Sequence, residues 1–430
     1  MMKKILILVT MIVLLTGCTP SANDAIPAEE AKSSISRNNN PEVSEANLTQ
    51  LVQGNTRFGM NLYYSLQQGG ENIIFSPYSI SVALAMAQAG SQGETLQQMN
   101  DVLSFSLPFE DLHPAINALQ LELNNRENSD YEEGKKDFEL NIVNSIWGEK
   151  TYTFLPEYLD LLAENYGAGL RLADFINQPD ASRKEINQWV SNQTNDRIQD
   201  LLPENTITDL TRLVLTNAIY FKASWLHQFE PGMTQDGHFT LLNGEIVQLP
   251  MMHQIETFGY AREDGYQLIS LPYEGNKLSM LIILPDENNF AQVEKAIAEL
   301  DIQNLVRSVS YAQLDLRMPK FKIESSFGLA DYLDAMGMGD AFIPGVADFS
   351  GMDGTRDLFI SAIQHKAFIE VDETGTEAAA ATAVVVGIES MPIDEPIKVS
   401  IDRPFIFMIT DNKTGSILFM GRVMNPAIKN

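Results

Sequence analysis

The sequence predicts an α+β fold, and three patterns in the chain indicate it. Residues 47–68 carry apolar side chains at close to helical spacing, and residues 138–146 and 213–221 alternate as strands do. Residues 405–410 and 417–423 are near-continuous apolar runs, as expected for strands buried on both faces. Helices early and strands late indicate α+β rather than a regular βαβ series.

Each helical element has its own signal. The apolar positions of the first helix are Leu48, Leu51, Phe58, Leu62 and Leu66. Ser76 and Pro77 form a good N-cap and first-turn pair for a second helix that ends near Gly90. Residues 180–198 are polar with a helical pattern, which predicts a helix on the surface.

The strands follow a period of two. Alternation predicts one strand from Phe138 to Ile146 and another from Leu213 to Phe221. Residues 359–371 alternate again and lead directly into an unusual segment of small residues.

The N-terminus has the pattern of a targeting segment. Lys3 and Lys4 precede an apolar stretch, residues 5–15, which is too short to span a bilayer as a helix. Residues 15–18, Leu-Thr-Gly-Cys, resemble the box of bacterial lipoproteins, which implies a signal peptide of residues 1–17 and lipidation of Cys18. An ordinary signal peptide with a chance cysteine is the alternative, although Cys18 is the only cysteine in the chain.

Residues 18–46 are expected to form a lipidated flexible tether. They are rich in Ser, Asn, Ala, Glu and Pro and nearly free of large apolar side chains, so they cannot bury enough surface to fold. As a random coil the tether would span about 30 Å. The expected location is the cell envelope, with the folded domain lipid-anchored and extracytoplasmic.

The composition limits the possible domain organisation and partners of the remaining chain. A hydrophobic fraction of 44% supports a large core, and no linker interrupts residues 47–430, so one folding unit is expected. The formal net charge of −28 argues against nucleic acid and against anionic membrane patches as partners.

No catalytic constellation stands out. The five histidines form no metal-ligand spacing such as HExxH, and the chain has neither a GxSxG elbow nor a Gly-rich phosphate loop. We therefore expect no metal, no cofactor and no enzymatic activity.

The most informative stretch is residues 372–390. Read as a strand, one face carries only small side chains, which could enter a packed sheet without overpacking it. These are Thr376, Ala378, Ala380, Thr382, Val384 and Val386. Ala378 to Ala381 also favour a helix by propensity, whereas the valines and the flanking glycines oppose one. The pattern alone leaves both structures open.

This stretch resembles the reactive-loop hinge of inhibitory serpins, a family known for inserting a loop into a β-sheet. Eight further motifs of the family occur in their usual order. They are residues 72–81, 215–225, 247–252, 316–320, 348–352, 365–367, 403–405 and 418–426. The resemblance spans residues 47 to 428, nearly the whole mature chain, and implies about nine helices around three β-sheets with an exposed reactive-centre loop at about 373–396.

The resemblance implies a suicide-substrate inhibitor of serine endopeptidases. The loop hinge would comprise Glu373, Gly375, Thr376, Glu377, Ala378, Ala379, Ala380, Ala381 and Thr382. Ser76, Ser79, Asn217 and His365 would hold the central sheet closed, with Trp225 over its upper end. In relatives a lysine that follows the Leu-Pro-Asp-Glu motif often pairs with the loop root, here Glu373. In this chain Asn288 and Asn289 follow the motif, so that particular bridge is not expected.

The family's hinge length places the scissile bond at Glu389–Ser390. Glu389 suggests an acid-preferring protease, because the target's pocket must compensate its charge. Ile388, Val386 and Met391 would suit elastase-like or subtilisin-like pockets if the register slips.

Other expectations concern partners. Some serpins bind sulfated polysaccharide through basic helices, but the counterpart here, residues 109–126, carries Glu110, Asp111 and Glu122, so heparin-type activation is not expected. A monomer is expected. The alternatives are a non-inhibitory serpin that acts as a binding or carrier module, against which the small hinge residues argue, and cross-class inhibition of a cysteine protease. An unrelated lipoprotein of the solute-binding or hydrolase type would leave the ordered motifs unexplained.

Overall fold

The computed structural model describes residues 29–67, 69–126, 138–297, 302, 305, 308–376 and 395–428. Within these residues there are nine α-helices. They are α1 (Glu45–Leu66), α2 (Pro77–Gln88), α3 (Gly93–Leu103), α4 (Phe109–Asn124), α5 (Pro156–Tyr166), α6 (Pro179–Gln193), α7 (Phe290–Ala296), α8 (Ala330–Ala335) and α9 (Ser350–Asp353).

The strands of the first half of the chain are β1 (Glu29–Ala31), β2 (Ile73–Phe75), β3 (Phe138–Glu149), β4 (Leu170–Ala173), β5 (Leu213–Ser224), β6 (Gln235–Thr240) and β7 (Ile246–Glu263). Those of the second half are β8 (Tyr266–Pro272), β9 (Leu278–Pro285), β10 (Ser310–Pro319), β11 (Phe321–Gly328), β12 (Ile360–Val371), β13 (Gly375–Thr376), β14 (Ile397–Ser400), β15 (Phe405–Asp411) and β16 (Ile417–Val423). The α+β class predicted from the sequence is confirmed.

The strands form two hydrogen-bonded sheets. The seven-stranded sheet has the order β1-β4-β3-β5-β13-β12-β11. The nine-stranded sheet runs β14-β10-β7-β8-β9-β15-β16-β2, with β6 paired to β7. The resemblance implied three sheets; the 18-residue strand β7 pairs with β6, β10 and β8 in turn, which joins two of the three into one network.

The helices begin where the sequence predicts. Ser76 caps α2, its hydroxyl accepting from the Ser79 amide at 3.1 Å, and Pro77 opens the first turn. Every residue of α2 is buried, as expected for a helix that is apolar on all sides. The predicted helix over residues 180–198 ends earlier, at Gln193. Strands β15 and β16 are buried along their whole length, and the core lies between the two sheets and α2.

The tether predicted for residues 18–46 is wrong for the part that the structure describes. Residues Glu29–Ala31 form β1 and pair antiparallel with β4 at the outer edge of the seven-stranded sheet. Arg37 and Asn38 then make hydrogen bonds to α4 and α5 before Ser44 caps α1. Composition argued against a hydrophobic core here, whereas backbone pairing and polar contacts hold the segment. Cys18 lies outside the described residues.

No described helix has both the length and the apolar character needed to cross a membrane.

Candidate functional site

The small-residue segment begins inside the seven-stranded sheet. Strands β5 and β12 run parallel and pair directly from Leu213 opposite Ile360 to Tyr220 opposite Phe368. Beyond Tyr220 and Phe368, toward the C-terminal ends of the two strands, which we call the upper end of the gap, β13 lies between β5 and β12 and is antiparallel to both. Thr376 is opposite Val371 of β12 on one side and opposite Ala223 of β5 on the other. The first two residues of the segment are thus already a strand within the sheet.

A tight turn before β13 leads the chain into the gap between β5 and β12. The Asp372 carboxylate accepts hydrogen bonds from the amides of Thr374 at 2.8 Å and Gly375 at 3.2 Å, and the Asp372 amide donates to the Gly375 carbonyl at 2.9 Å. A Cβ on Gly375 would lie 2.1 Å from the carbonyl oxygen of Ala223. Only glycine therefore fits at this position.

Two aromatic rings cover the upper end of the gap. Trp225 and Tyr273 stack with ring centroids 4.6 Å apart and an interplanar angle of 11°. The Trp225 indole N–H donates to the Asp372 carbonyl at 3.0 Å, and its amide donates to the Thr374 carbonyl at 2.9 Å. Trp225 therefore lies at the upper end of the sheet and holds the turn of the hinge through two hydrogen bonds.

Glu373 anchors the root of the segment by an ion pair that the sequence does not reveal. Its carboxylate lies 2.7 Å from the Lys320 ammonium and accepts from the Thr234 hydroxyl at 2.7 Å. Burial works to raise the pKa of Glu373, but the hydrogen bonds from Lys320 and Thr234 outweigh it and hold the pKa below its ordinary value. The lysine that pairs with the loop root in relatives is absent here, and Lys320, in the turn between β10 and β11, takes the place of that partner.

A second group of polar side chains lies at the middle of the sheet, and we call it the central polar cluster. Its members are Ser76, Ser79, Asn144, Asn217 and His365. Asn217 of β5 and His365 of β12 face each other across the pair of strands that would have to separate, and their side chains are hydrogen-bonded through Oδ1 and Nδ1. The cluster thus joins β3, β5 and β12 to the start of α2.

Hydrogen bonding assigns the tautomer of His365. The Ser76 backbone amide can only donate, and it donates to Nε2 at 3.2 Å. The ring proton therefore lies on Nδ1 and is donated to the Asn217 side-chain oxygen. Complete burial lowers the pKa of His365 to about 3, so the ring is neutral at ordinary pH.

Asn217 is the centre of the cluster. Its amide group donates to the Ser79 hydroxyl at 2.6 Å and to the Asn144 side-chain oxygen. Ser79 and Asn144 also bond to each other, through the Ser79 hydroxyl at 3.2 Å and the Ser79 carbonyl at 3.2 Å. Separation of β5 from β12 would break the bond between Asn217 and His365 and expose both groups. The cluster therefore resists opening of the sheet, as buried polar groups do when their partners are removed.

Several residues of the site were not predicted from the sequence. Asn144 alternates with apolar neighbours in its strand pattern, which gave its position but not its role. Lys320 closes one of the sequence motifs, yet its partner lies 53 residues away. No sequence pattern marked Tyr273 or Thr234 as a residue of the site.

The rest of the predicted hinge and the predicted reactive bond lie outside the described residues. These are Glu377, Ala378, Ala379, Ala380, Ala381, Thr382, Glu389 and Ser390. The described residues continue from Glu395, and β14 pairs in parallel with β10 at the edge of the nine-stranded sheet.

Within the described residues, no group of three or more His, Cys, Asp or Glu side chains is arranged to hold a metal ion.

These features define a class: an α+β protein whose central sheet holds the start of one further strand between two parallel strands. The chain belongs to the serpin (serine protease inhibitor) family, whose profile matches residues 53–426. It is 38% identical over 390 residues to the leukocyte elastase inhibitor of Homo sapiens, covering 88% of this chain and 100% of that protein. It is also 37% identical over 435 residues to an uncharacterised serpin-like protein of Thermococcus kodakarensis, covering 99% of both chains.

Solved structures that it resembles include a thermophilic serpin and a thyroxine-binding protein. The thermophilic serpin tengpin in its native state superposes with a TM-score of 0.80 at 30% identity, covering 93% of this chain and 100% of that chain. Human thyroxine-binding globulin in complex with thyroxine superposes with a TM-score of 0.78 at 31% identity, covering 89% and 100%.

Proposed function

We propose that this serpin is a suicide-substrate inhibitor of serine endopeptidases. The observation that carries the proposal is the position of Gly375 and Thr376, which already form a strand between β5 and β12, antiparallel to both. A loop that continued in the same direction would extend this strand downward and gain ladder hydrogen bonds on both sides. Cleavage of the loop would free its end to do so.

The reaction begins as ordinary proteolysis. The serine of the protease attacks the carbonyl carbon of Glu389, the bond to the nitrogen of Ser390 breaks, and an acyl-enzyme ester forms on Glu389. The segment from Thr376 to Glu389 is 14 residues long. Inserted as a strand at about 3.3 Å per residue, it would carry the attached protease about 45 Å. Distortion of the protease then stalls hydrolysis of the ester, and the complex stays covalent.

The energy for this movement is stored in the folded chain. The uninserted state would be kinetically trapped, with the central polar cluster opposing separation of β5 from β12. Insertion adds two ladders of hydrogen bonds and buries small side chains that fit a packed sheet. In this proposal the chain has no catalytic activity and needs no cofactor.

One named relative supports a protease as the partner of this chain, and another suggests the alternative, a carrier role. One relative is named a leukocyte elastase inhibitor, and the apolar residues Val386 and Ile388 would suit an elastase-like pocket. Thyroxine-binding globulin shares the fold and binds a small ligand, so a carrier role is the second candidate. The small residues Ala378 to Ala381 favour inhibition, since a bulky or charged hinge would resist burial. Cross-class inhibition of a cysteine protease fits the same mechanism.

The N-terminal sequence supports an envelope location as part of the same proposal. A short apolar stretch followed by Leu15-Thr-Gly-Cys18 fits a lipoprotein signal, so Cys18 would carry the lipid and the domain would face outward from the membrane. Mass spectrometry of the mature N-terminus tests this directly. A diacylated cysteine is expected, and an unmodified chain starting elsewhere would contradict it.

The proposed function is tested by incubating the protein with a glutamyl endopeptidase, an elastase, a subtilisin and a trypsin. A covalent band on a denaturing gel, with a released C-terminal peptide that begins at Ser390, is expected for one of them. A covalent band with another peptide start would keep the mechanism and move the bond. Cleavage by every protease without a covalent band would contradict inhibition and favour the carrier role.

A further inference from the structure

The segment from Glu29 to Ser44, which we call the N-terminal strap, lies across the outer edge of the sheet that would have to open. Residues Glu29–Ala31 pair with β4, and the Ser33 hydroxyl bonds to Asp160 of α5. The strap is packed closely there: a Cβ on Gly169 would lie 2.7 Å from the Ala31 carbonyl oxygen. One end of the strap is therefore attached to β4 and α5.

The other end of the strap is attached to α4. The Arg37 guanidinium donates to Asn117 at 2.9 Å and to Gln120 at 2.6 Å. Asn117 is completely buried, and it donates in turn to the Asn38 carbonyl at 2.7 Å. The Asn38 amide also donates to the Glu164 carbonyl of α5 at 2.9 Å. Residues 37 and 38 thus join α4 to the end of α5.

The two attachment points belong to helices that lead to different sheets. The two helices also bond directly to each other, through the Asn117 amide and the Glu164 carbonyl at 3.4 Å and through His113 and the Tyr166 hydroxyl at 2.7 Å, so the strap adds to a contact that α4 and α5 already make. Helix α5 follows β3 and runs directly into β4, so it is tied to the strands on the β5 side of the gap. Helix α4 is tied to the nine-stranded sheet, because Arg126 at its end forms an ion pair of 2.8 Å with the buried Asp411 of β15. Helix α1, into which the strap leads, is held there too: the Gln67 carbonyl accepts from Arg422 of β16 at 3.1 Å.

Insertion of one strand requires the two sides of the gap to move apart. Neighbouring strands lie about 4.8 Å apart, so β5, β3 and β4 would have to shift by about that distance from β12. Hydrogen bonds of 2.6–2.9 Å between the strap and α4 would not survive such a shift at both ends. We propose that the N-terminal strap is a restraint on opening of the seven-stranded sheet, which must be released on the α4 side when the sheet accepts a further strand.

The restraint reaches the helix that lies over the sheet. Glu30 of β1 is opposite Arg171 of β4, and the Arg171 guanidinium lies over the ring of Trp189 of α6, 4.4 Å from its centroid, and 5.6 Å from that of Trp147 of β3. The strap, β4, β3 and α6 are therefore connected by adjacent side chains. This link places the restraint on the whole β5 side of the gap rather than on one edge strand.

Hydrogen–deuterium exchange of the β5 and β12 amides tests the inference in the full-length protein and needs no protease. Arg37→Ala removes the two bonds to α4, and Gly169→Ala presses a methyl group against the Ala31 carbonyl at the other end. Each variant is expected to raise the opening equilibrium constant of these strands about fivefold, as loss of a net hydrogen bond would. Lys32→Ala, an exposed position of the strap, is the matched control and should exchange at the wild-type rate.

The result separates this inference from the proposed function, on which its biological role rests. Exchange at the wild-type rate in both variants would contradict the proposal that the strap restrains opening of the sheet, whether or not a protease forms a covalent complex. Faster exchange in the two variants but not in the control would support restraint of the sheet by the strap. This would hold even if every protease cleaved the protein without a covalent band, a result that would contradict only the proposed inhibitory function. Exchange that rises equally in Lys32→Ala would also overturn it, because the effect would then be nonspecific.

Discussion

The hydroxyl groups of Tyr273 and Thr376 lie 2.8 Å apart in a site that is closed to solvent. Thr376 is the last described residue of the hinge, and Tyr273 is held by its stack on Trp225. The first position of the proposed inserting strand is therefore already buried and hydrogen-bonded before any cleavage. The size and polarity of this side chain should then control whether the rest of the loop can follow.

Thr376→Arg is expected to convert the inhibitor into a substrate. A guanidinium would have to enter a buried site next to Tyr273, at a cost on the order of several kcal/mol, so insertion would be slower than hydrolysis of the acyl-enzyme. The measurement is the ratio of covalent complex to cleaved protein on a denaturing gel. Thr376→Ser keeps the hydroxyl and is the control. Undiminished complex formation by the arginine variant would contradict the insertion mechanism.

The ion pair of Glu373 with Lys320 is expected to stabilise the root of the loop. The Lys320 side chain is 39% exposed, so solvent screening limits the pair itself to about 1 kcal/mol or less. Glu373→Lys should lower the midpoint of thermal unfolding further, because it also removes the bond to Thr234 and places two cations together. The double variant with Lys320→Glu should recover part of the loss. Equal midpoints for the single and double variants would show that the two charges do not interact.

Much of the sheet could be predicted from the sequence because its signals are local. The period-two patterns gave β3, β5 and β12, and Ser76 with Pro77 gave the start of α2. Asn217 and His365 were chosen from family motifs, and the parallel register of β5 and β12 brings them together.

The rest could not be predicted, because it depends on contacts between distant parts of the chain. Lys320 meets Glu373 only because the turn between β10 and β11 lies beside the end of β12. The N-terminal strap was missed for a different reason. Its composition lacks large apolar residues, and composition does not reveal that an edge strand such as β4 offers free backbone groups to residues 29–31.

Acid pH is expected to destabilise the closed sheet through His365. Its pKa is about 3 in the folded protein and near 6.5 when the chain is unfolded, so the unfolded state binds the extra proton between these values. Stability from this residue is complete above about pH 6.5 and falls as the pH drops toward 3, by up to about 1.4 kcal/mol per pH unit. Buried His113, with its pKa lowered to about 4, acts in the same direction.

Denaturant unfolding measured from pH 7.5 to 4.5 tests the role of His365. Between pH 7.5 and about 5.5, above the range in which carboxylates titrate, the slope of stability against pH in His365→Gln should be about half that of the unmodified protein, since His113 is the other buried histidine with a lowered pKa. His238→Gln is the control, because His238 is exposed on β6. A slope unchanged by His365→Gln would contradict the assignment of a buried neutral ring to the central polar cluster.

Glu389→Arg is expected to move the target preference from acid-preferring proteases toward trypsin-like ones. The residue on the acyl side of the scissile bond fills the specificity pocket of the protease, and an arginine there complements a pocket that carries a carboxylate. The hinge from Glu373 to Thr382 is unchanged, so the covalent complex should still form, now fastest with trypsin. The measurement is the association rate constant with a glutamyl endopeptidase and with trypsin. Ile388→Arg is the matched comparison: if that variant gains trypsin inhibition and Glu389→Arg does not, the reactive bond lies one residue earlier and elastase-like enzymes become the expected targets.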